Sequence, residues 1–307
     1  MTDLISVIIP TYNPNLQRLG QTMEGLKAQT LAYQDWELII IDNNSSVSFT
    51  GKIDLSWQPN SKIVSEPRQG LTYARLKGFE EAKGNVIVMI DDDNIANKDY
   101  LEQVKNIFKT NDQLGAMGGK SLPLFESTPP SWIGDFHTNL AVRNLGDDVI
   151  IEEWQNKYPE FAPIGAGMAV RKEALHAYIN KIKTGKSTIT DRQGSNLASG
   201  GDNDMVIEIL KAGWQTAYYP QLSIRHIIPK ERLQPEYLAR LMHDTNRSWI
   251  QVLESHKINP WTKIPRWTLP LRKLKAWFNY RAWASPQNYI KWQGACGTFE
   301  GLADINN

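Results

Sequence analysis

The sequence predicts an α/β fold: one domain with a mostly parallel central sheet flanked by helices, followed by a helical C-terminal extension. Three observations carry that expectation. Short, β-branched apolar runs alternate with stretches of helical periodicity through the first 120 residues, which is the pattern of βαβ units. Two of those runs stop at polar, acidic strings, Asp42-Asn43-Asn44-Ser45-Ser46 and Asp91-Asp92-Asp93. Beyond Pro235 the strand signals end and a long helical pattern takes over.

The elements follow in order. Residues 4–10 are an apolar run closed by Pro10, a buried strand. Leu16, Leu19, Met23 and Leu26 then recur at helical spacing. Residues 36–41 form a second strand, 61–64 a weaker one, 72–82 a helix and 86–90 the strand that runs into the aspartates. A further helix begins near Lys98. Between 122 and 163 the pattern is lost. Pro123, Pro129, Pro130, Pro159 and Pro163 interrupt it, and Trp132 and Trp154 fall inside it. Irregular insertions of that length are usually functional. Residues 166–170 read as a strand, with a short helix from Lys172. Residues 183–199 are polar and rich in Gly, Ser and Thr, the composition of a loop. Gly200-Gly201-Asp202-Asn203-Asp204 opens a helix marked by Met205, Ile209 and Leu210; residues 215–219 are a strand and 224–228 are extended. These readings divide the chain into a domain over 1–234, with a first half to residue 120 and a second over 121–234, and an extension over 235–307.

Composition narrows the function. A chain of 307 residues with a net charge of +1 gives no electrostatic reason to expect a nucleic-acid partner. A single cysteine, Cys296, excludes an intramolecular disulfide framework and a cysteine-based zinc site. The first residues carry no signal-type apolar stretch and no apolar run reaches membrane-spanning length, so a cytoplasmic protein is expected.

The aspartate triplet is the main chemical clue. Three carboxylates at a strand end repel one another unless a cation or a protonation shift relieves them. Hard oxygen ligands suit Mg²⁺ or Mn²⁺, which commonly arrive with substrate phosphates. In open α/β sheets ligands bind beyond the carboxyl ends of the strands, where Asp42 and Asp91 both lie. Other nucleotide motifs fail. No G-x-G-x-x-G follows the first strand, and the two Gly-Lys-Ser strings at 119 and 185 lack the leading glycine of a P-loop, having Leu114 and Asn180 there. The triplet also suits a solvated helix cap, Asp202 suits an N-cap, and Asp42 suits an ordinary turn.

With those pieces in order, residues 4–230 resemble the inverting glycosyltransferases of family 2, which have the GT-A fold. Val7-Ile8-Ile9-Pro10-Thr11-Tyr12-Asn13 is similar to the family's first strand and base-holding loop, Asp42 to its base- or ribose-contacting aspartate, and Arg68-Gln69-Gly70-Leu71 with Ala74-Arg75 to its G-x-x-x-A-R segment. The triplet stands at the metal-binding D-x-D, Gly165 to Arg171 at the acceptor-side strand, Gly201-Asp202-Asn203-Asp204 at the E-D-x-D/E helix start, and His226 at a late metal-binding histidine. Gly201 departs from the family's usual glutamate.

The resemblance implies a nucleotide-diphosphate sugar donor, a sugar or lipid-linked glycan acceptor, and Mn²⁺ or Mg²⁺. It assigns Asp202 as general base, with Asp204 the lesser candidate. Donor contacts fall to Pro10, Thr11, Tyr12, Asn13, Asp42, Arg68, Gly70, Arg75, Asp91 and Asp92, metal ligation to Asp93 and His226, and acceptor-side contacts to Gly167. Trp132 and Trp154 either stack on acceptor sugars or staple the insertion to the core. A sugar-phosphate nucleotidyltransferase and a non-catalytic nucleotide-sugar-binding protein are the competing readings. Residues 263–291 hold seven Lys or Arg, no acid, and several tryptophans. That stretch either touches an anionic membrane, on its inner face, or packs its tryptophans on the domain.

Overall fold

The computed structural model describes residues 4–185, 189, 191, 192, 197 and 199–305. Much of the loop expected over 183–199 therefore lies outside the described residues.

Seventeen main elements follow one another. They are β1 (Ile5–Thr11), α1 (Leu16–Lys27), β2 (Trp36–Asp42), β3 (Ser61–Ser65), α2 (Leu71–Glu81), β4 (Val86–Met89), β5 (Asn94–Ala96), α3 (Tyr100–Thr110) and β6 (Leu114–Phe125). Then come β7 (Ile150–Glu152), β8 (Ala169–Arg171), α4 (His176–Lys183), α5 (Gly201–Lys211), β9 (Gln215–Ile228), α6 (Pro235–Ser255), α7 (Leu269–Asn279) and α8 (Pro286–Asp304).

One nine-stranded sheet runs β3-β2-β1-β4-β8-β6-β9-β5, with β7 also on β9. Successive side chains of a strand point to opposite faces, and the apolar runs use both. Ile5, Val7 and Ile9 pack on the face covered by α1 and α3. Ile8, Ile39 and Ile41 pack on the other, with α2 and α5. Burial on both faces is why these strands read as continuous apolar runs rather than alternating ones.

The parallel character expected of the sheet holds where the signals were strongest. β3, β2, β1 and β4 are all parallel. The second half is mixed: β6 and β9 pair in parallel, but β8 is antiparallel to both β4 and β6, and β5 and β7 are antiparallel to β9. The reason is local. β6 is rich in glycine and carries Lys120, Ser121 and Pro123, so its sequence does not read as a strand. At Gly119 a Cβ would collide with the Leu222 and Tyr219 carbonyls, where the β6–β9 register shifts between Gly118 and Lys120. The extended pieces at 215–219 and 224–228 are one strand, β9, running through Pro220.

The helical extension opens at Pro235, at the first turn of α6, where proline's missing N–H costs nothing. Leu238 and Leu241 of α6 pack with Ile133, Phe136 and Leu140 of the insertion and with Ile290 of α8. The extension thus covers the insertion and closes one side of the cavity described next.

Candidate active site

A cleft of about 750 Å³ opens at the carboxyl ends of β1 and β4. Pro10, Thr11, Tyr12, Gly70, Arg75, Asp91, Asp92, Asp93, Asp202 and His226 all line it. The chain brings these together because a parallel half-sheet places successive strand ends on one edge, and β9 returns His226 beside Asn94, next to the triplet.

The three aspartates have different surroundings. Asp92 accepts a short hydrogen bond from the Thr11 hydroxyl. Burial, with the Asp93 charge beside it, pushes its carboxyl up to about 7 against the pull of that bond. Burial also raises Asp91, opposed by Arg75. Asp93 goes the other way. Burial works against its charge, but His226 and Arg232 hold it well below the usual carboxylate range. Its Oδ2 lies 3.5 Å from His226 Nε2 and 3.2 Å from Arg232 Nη2, and its Oδ1 accepts from Asn94 Nδ2 at 3.1 Å.

Asp93 and His226 form a donor pair suited to a divalent cation. Mn²⁺ and Mg²⁺ commonly take one or two protein ligands and complete their shell with water and phosphate oxygens. Arg232 contacts both members, at 3.1 Å from His226 Nε2. His226 Nδ1 has no partner among the described residues. The residues fit the ion, with Arg232 at the same position as a fixed positive charge.

Asp202 lies in the first turn of α5. Its Oδ2 accepts from the Gly165 N–H at 3.1 Å, and its Oδ1 meets Arg75 in a short ion pair. A Cβ at Gly165 would displace the Asp202 carboxylate from this position. Arg75 is buried and also faces Asp191 at 3.5 Å; its charge is locked in despite its burial, by Asp202 and Asp191. Burial lifts the Asp191 carboxyl to about 6.

Asp204, two residues on, points the opposite way. It is fully buried and accepts from His256 Nε2 at 2.6 Å and Lys181 Nζ at 2.5 Å. With Glu208 and His256 it makes a group of metal-ligand type, yet Lys181 also reaches Glu208 at 2.9 Å and Lys211 reaches His256 Nδ1 at 3.0 Å. Two lysines already supply the positive charge there.

Several expected donor and acceptor residues lie away from the cleft lining. Asp42 accepts from the Ser45 N–H, capping its own turn. Its neighbour Asn43 lines the cleft and clamps the next loop, accepting from Gly70 N at 2.7 Å and donating to the Arg68 carbonyl at 2.7 Å. Asn13 holds Ser46. Arg68 pairs with Glu66 and stacks on Tyr73. Gly167 packs against Tyr100, whose hydroxyl donates to its carbonyl. Trp132 packs edge-on to Phe136, Trp154 packs in the core under Lys211, and neither lines the cleft. The aromatic wall of the cleft comes instead from the extension. Trp249 and Tyr237 of α6 line it, and Trp249 meets Tyr158 edge-on at 4.7 Å. Neither Trp249 nor Arg232 sits in a motif, so no local signal marks them.

The glycosyl transferase family 2 profile matches residues 6–178, more than half of the chain. The chain belongs to glycosyl transferase family 2. That membership makes it a nucleotide-sugar-dependent transferase of glycan assembly, and the nucleotidyltransferase reading falls. Curated relatives agree. The glucosyl-dolichyl phosphate glucuronosyltransferase of Haloferax volcanii is 24% identical over 240 residues, 76% of this chain and 72% of that protein. The poly(ribitol-phosphate) beta-N-acetylglucosaminyltransferase TarP of Staphylococcus aureus is 29% identical over 271 residues, covering 78% and 79%. The fold of this family-2 transferase matches that of a Pyrobaculum calidifontis mannosyltransferase solved with GDP-Man and Mn²⁺. The TM-score is 0.59 at 14% identity, over 98% of this chain and 88% of that one. It also matches S. aureus TarS solved with UDP-GlcNAc, with a TM-score of 0.54 at 14% identity, over 95% and 90%.

Proposed function

We propose that this transferase is inverting and depends on a divalent metal, moving a sugar from a nucleoside diphosphate to an acceptor hydroxyl in the cytoplasm. The observation that carries the reading is the opposite orientation of two neighbouring aspartates: Asp202 faces the cleft and Asp204 is sealed behind it. Asp93 and His226 would hold Mn²⁺ or Mg²⁺. The ion supplies charge neutralisation and Lewis acidity at the departing diphosphate. Arg232, which lines the same end of the cleft, would donate charge-assisted hydrogen bonds to the departing diphosphate. Pro10, Thr11, Tyr12 and Asn43 bound the donor end of the cleft. Asp202, fixed by Gly165 and Arg75, takes the proton from the attacking hydroxyl. Attack from that side, opposite the diphosphate, inverts the anomeric centre.

Relatives named for a dolichyl phosphate, an O-antigen chain and a ribitol-phosphate polymer support a carrier-linked glycan acceptor. The Trp249 and Tyr237 wall offers sugar faces a stacking surface. The test is transfer from UDP- and GDP-sugars with EDTA and with added Mn²⁺, following the anomeric proton by NMR. Inverted product that needs Mn²⁺ supports the reading. Retained configuration, or equal rates in EDTA, overturns it.

A further inference from the structure

The extension carries an apolar surface that the transfer chemistry does not use. Trp267, Leu271, Leu274 and Phe278 are 77%, 67%, 54% and 60% exposed. Their spacing puts all four on one stripe of α7 and its leading turn. The opposite side, at Ala276, is buried, and α7 packs on α8. The stripe is extended by Trp283, 58% exposed and edge-on to Phe278 at 5.7 Å. A core helix points such residues inward; this one points them out.

Charge decides the occupant. Residues 263–291 contain seven Lys or Arg and no acid; Arg266, Lys273 and Lys291 pair with Asp304, Glu300 and Asp135 from outside the stretch, so the face keeps an excess of cations. Lys275 flanks the stripe on α7 and Arg272 lies further round the same side, and both are exposed. At the Trp267 end a hollow of about 440 Å³ is lined by Lys263, Ile264, Pro265, Arg266, Trp267 and Ala303, apolar below with cations at the rim. A second copy seated on this face would set basic residues against basic residues. An anionic lipid surface meets both features at once: the stripe enters the acyl boundary, tryptophans sit at the headgroup level, and the cations pair with headgroups. No helix among the described residues is long and apolar enough to cross a membrane, so this contact lies in the interface plane.

We propose that α7 is an in-plane docking element for an anionic lipid surface, with Trp267, Leu271, Leu274 and Phe278 inserted and Arg272 and Lys275 on headgroups. The proposal stands independently of the metal and base assignments.

The test uses the full chain with phosphatidylcholine vesicles and with vesicles containing a third phosphatidylglycerol, by flotation. Strong partition into the anionic vesicles, weak partition into the neutral ones, and loss with rising salt are expected. Leu271→Asp with Phe278→Asp, and separately Arg272→Glu with Lys275→Glu, should each lower the partition about tenfold or more. Both change exposed positions, and unaltered melting and nucleoside-diphosphate binding would confirm intact folding. Equal partition of wild type into both vesicles, or variants that float like wild type, overturns the proposal. So does a wild-type dimer by sedimentation velocity that the apolar double variant converts to monomer, because a second copy would then be the occupant.

Discussion

Two carboxylate clusters in this molecule use the same residue types to opposite ends. At the strand edge, Asp91 to Asp93 meet His226 and Arg232 in an open cleft. Behind the α5 start, Asp204, Glu208 and His256 meet Lys181 and Lys211 in a cluster closed off from the cleft. The closed cluster balances its charges with hydrogen-bonded lysines. The open one leaves His226 Nδ1 without a partner among the described residues and two of its carboxyls pushed upward by burial. Charge left unrelieved at a cleft marks a place for a ligand; charge relieved in the interior marks a fastening. Asp202 and Asp204 are the sharpest form of the contrast, two residues apart on one helix.

The largest effect should separate those two. Asp202→Asn keeps its shape but cannot take the acceptor proton. Turnover should fall on the order of 10²- to 10⁴-fold, with donor affinity close to wild type at a temperature where the variant is folded; the melting temperature should fall, because the buried Arg75 loses a charged partner. A rate within a few-fold of wild type would transfer the base role elsewhere and erase the contrast.

The next tests the closed cluster. His256→Ala removes one hydrogen-bond partner of a buried aspartate and leaves Lys181 in place. Stability should drop by about 1–3 kcal/mol, read from denaturant midpoints, while the donor Kd at a temperature where the variant is folded stays unchanged. If the variant is instead as stable as wild type and loses Mn²⁺-dependent activity, the closed cluster is itself a metal site.

Asp93→Ala addresses the open cluster. Mn²⁺ should no longer strengthen nucleoside-diphosphate binding, a loss of about tenfold or more in affinity, roughly 1.4 kcal/mol per tenfold. Calorimetry with and without Mn²⁺ measures it. A variant whose affinity still rises with Mn²⁺ removes Asp93 from the metal.

The two ends of the cleft also differ in how far sequence reveals them. The donor end was legible because each part is local: an apolar strand, then the residues that follow it. β1 with Thr11 and Tyr12, β4 with the triplet, and the glycine-led start of α5 all appear where the runs predict. The offsets between the expected residues and the cleft lining at that end are one residue wide. Asp42 caps its own turn while Asn43 reaches the cleft, since strand alternation and turn geometry decide which neighbour points inward. The acceptor wall was not legible. Trp249 and Arg232 approach the cleft through the packing of α6 and the turn before it, and His256 meets Asp204 across 52 residues. Only tertiary contacts bring these together, and β6 hid itself behind glycines that let β9 pass close.

The smallest effect concerns Asp92, and its sign follows from linkage. In the unfolded chain an aspartate titrates near 4 (about 3.9). In the fold, burial and the Asp93 charge raise Asp92 to about 7. A raised carboxyl favours the protonated native state, so its contribution to stability is fully present below about pH 4 and is lost as pH climbs through about 7. Asp92→Asn stays neutral throughout and still accepts from the Thr11 hydroxyl. The variant's melting temperature minus that of wild type should therefore rise from pH 5 to pH 8 and then level off, because groups distant from the triplet titrate alike in both proteins and cancel in the difference. Thermal scans without metal or nucleotide, at half-unit pH steps, measure that difference. A flat difference would mean that Asp92 is ionised at the strand edge through the whole range, making the open cluster as well compensated as the closed one.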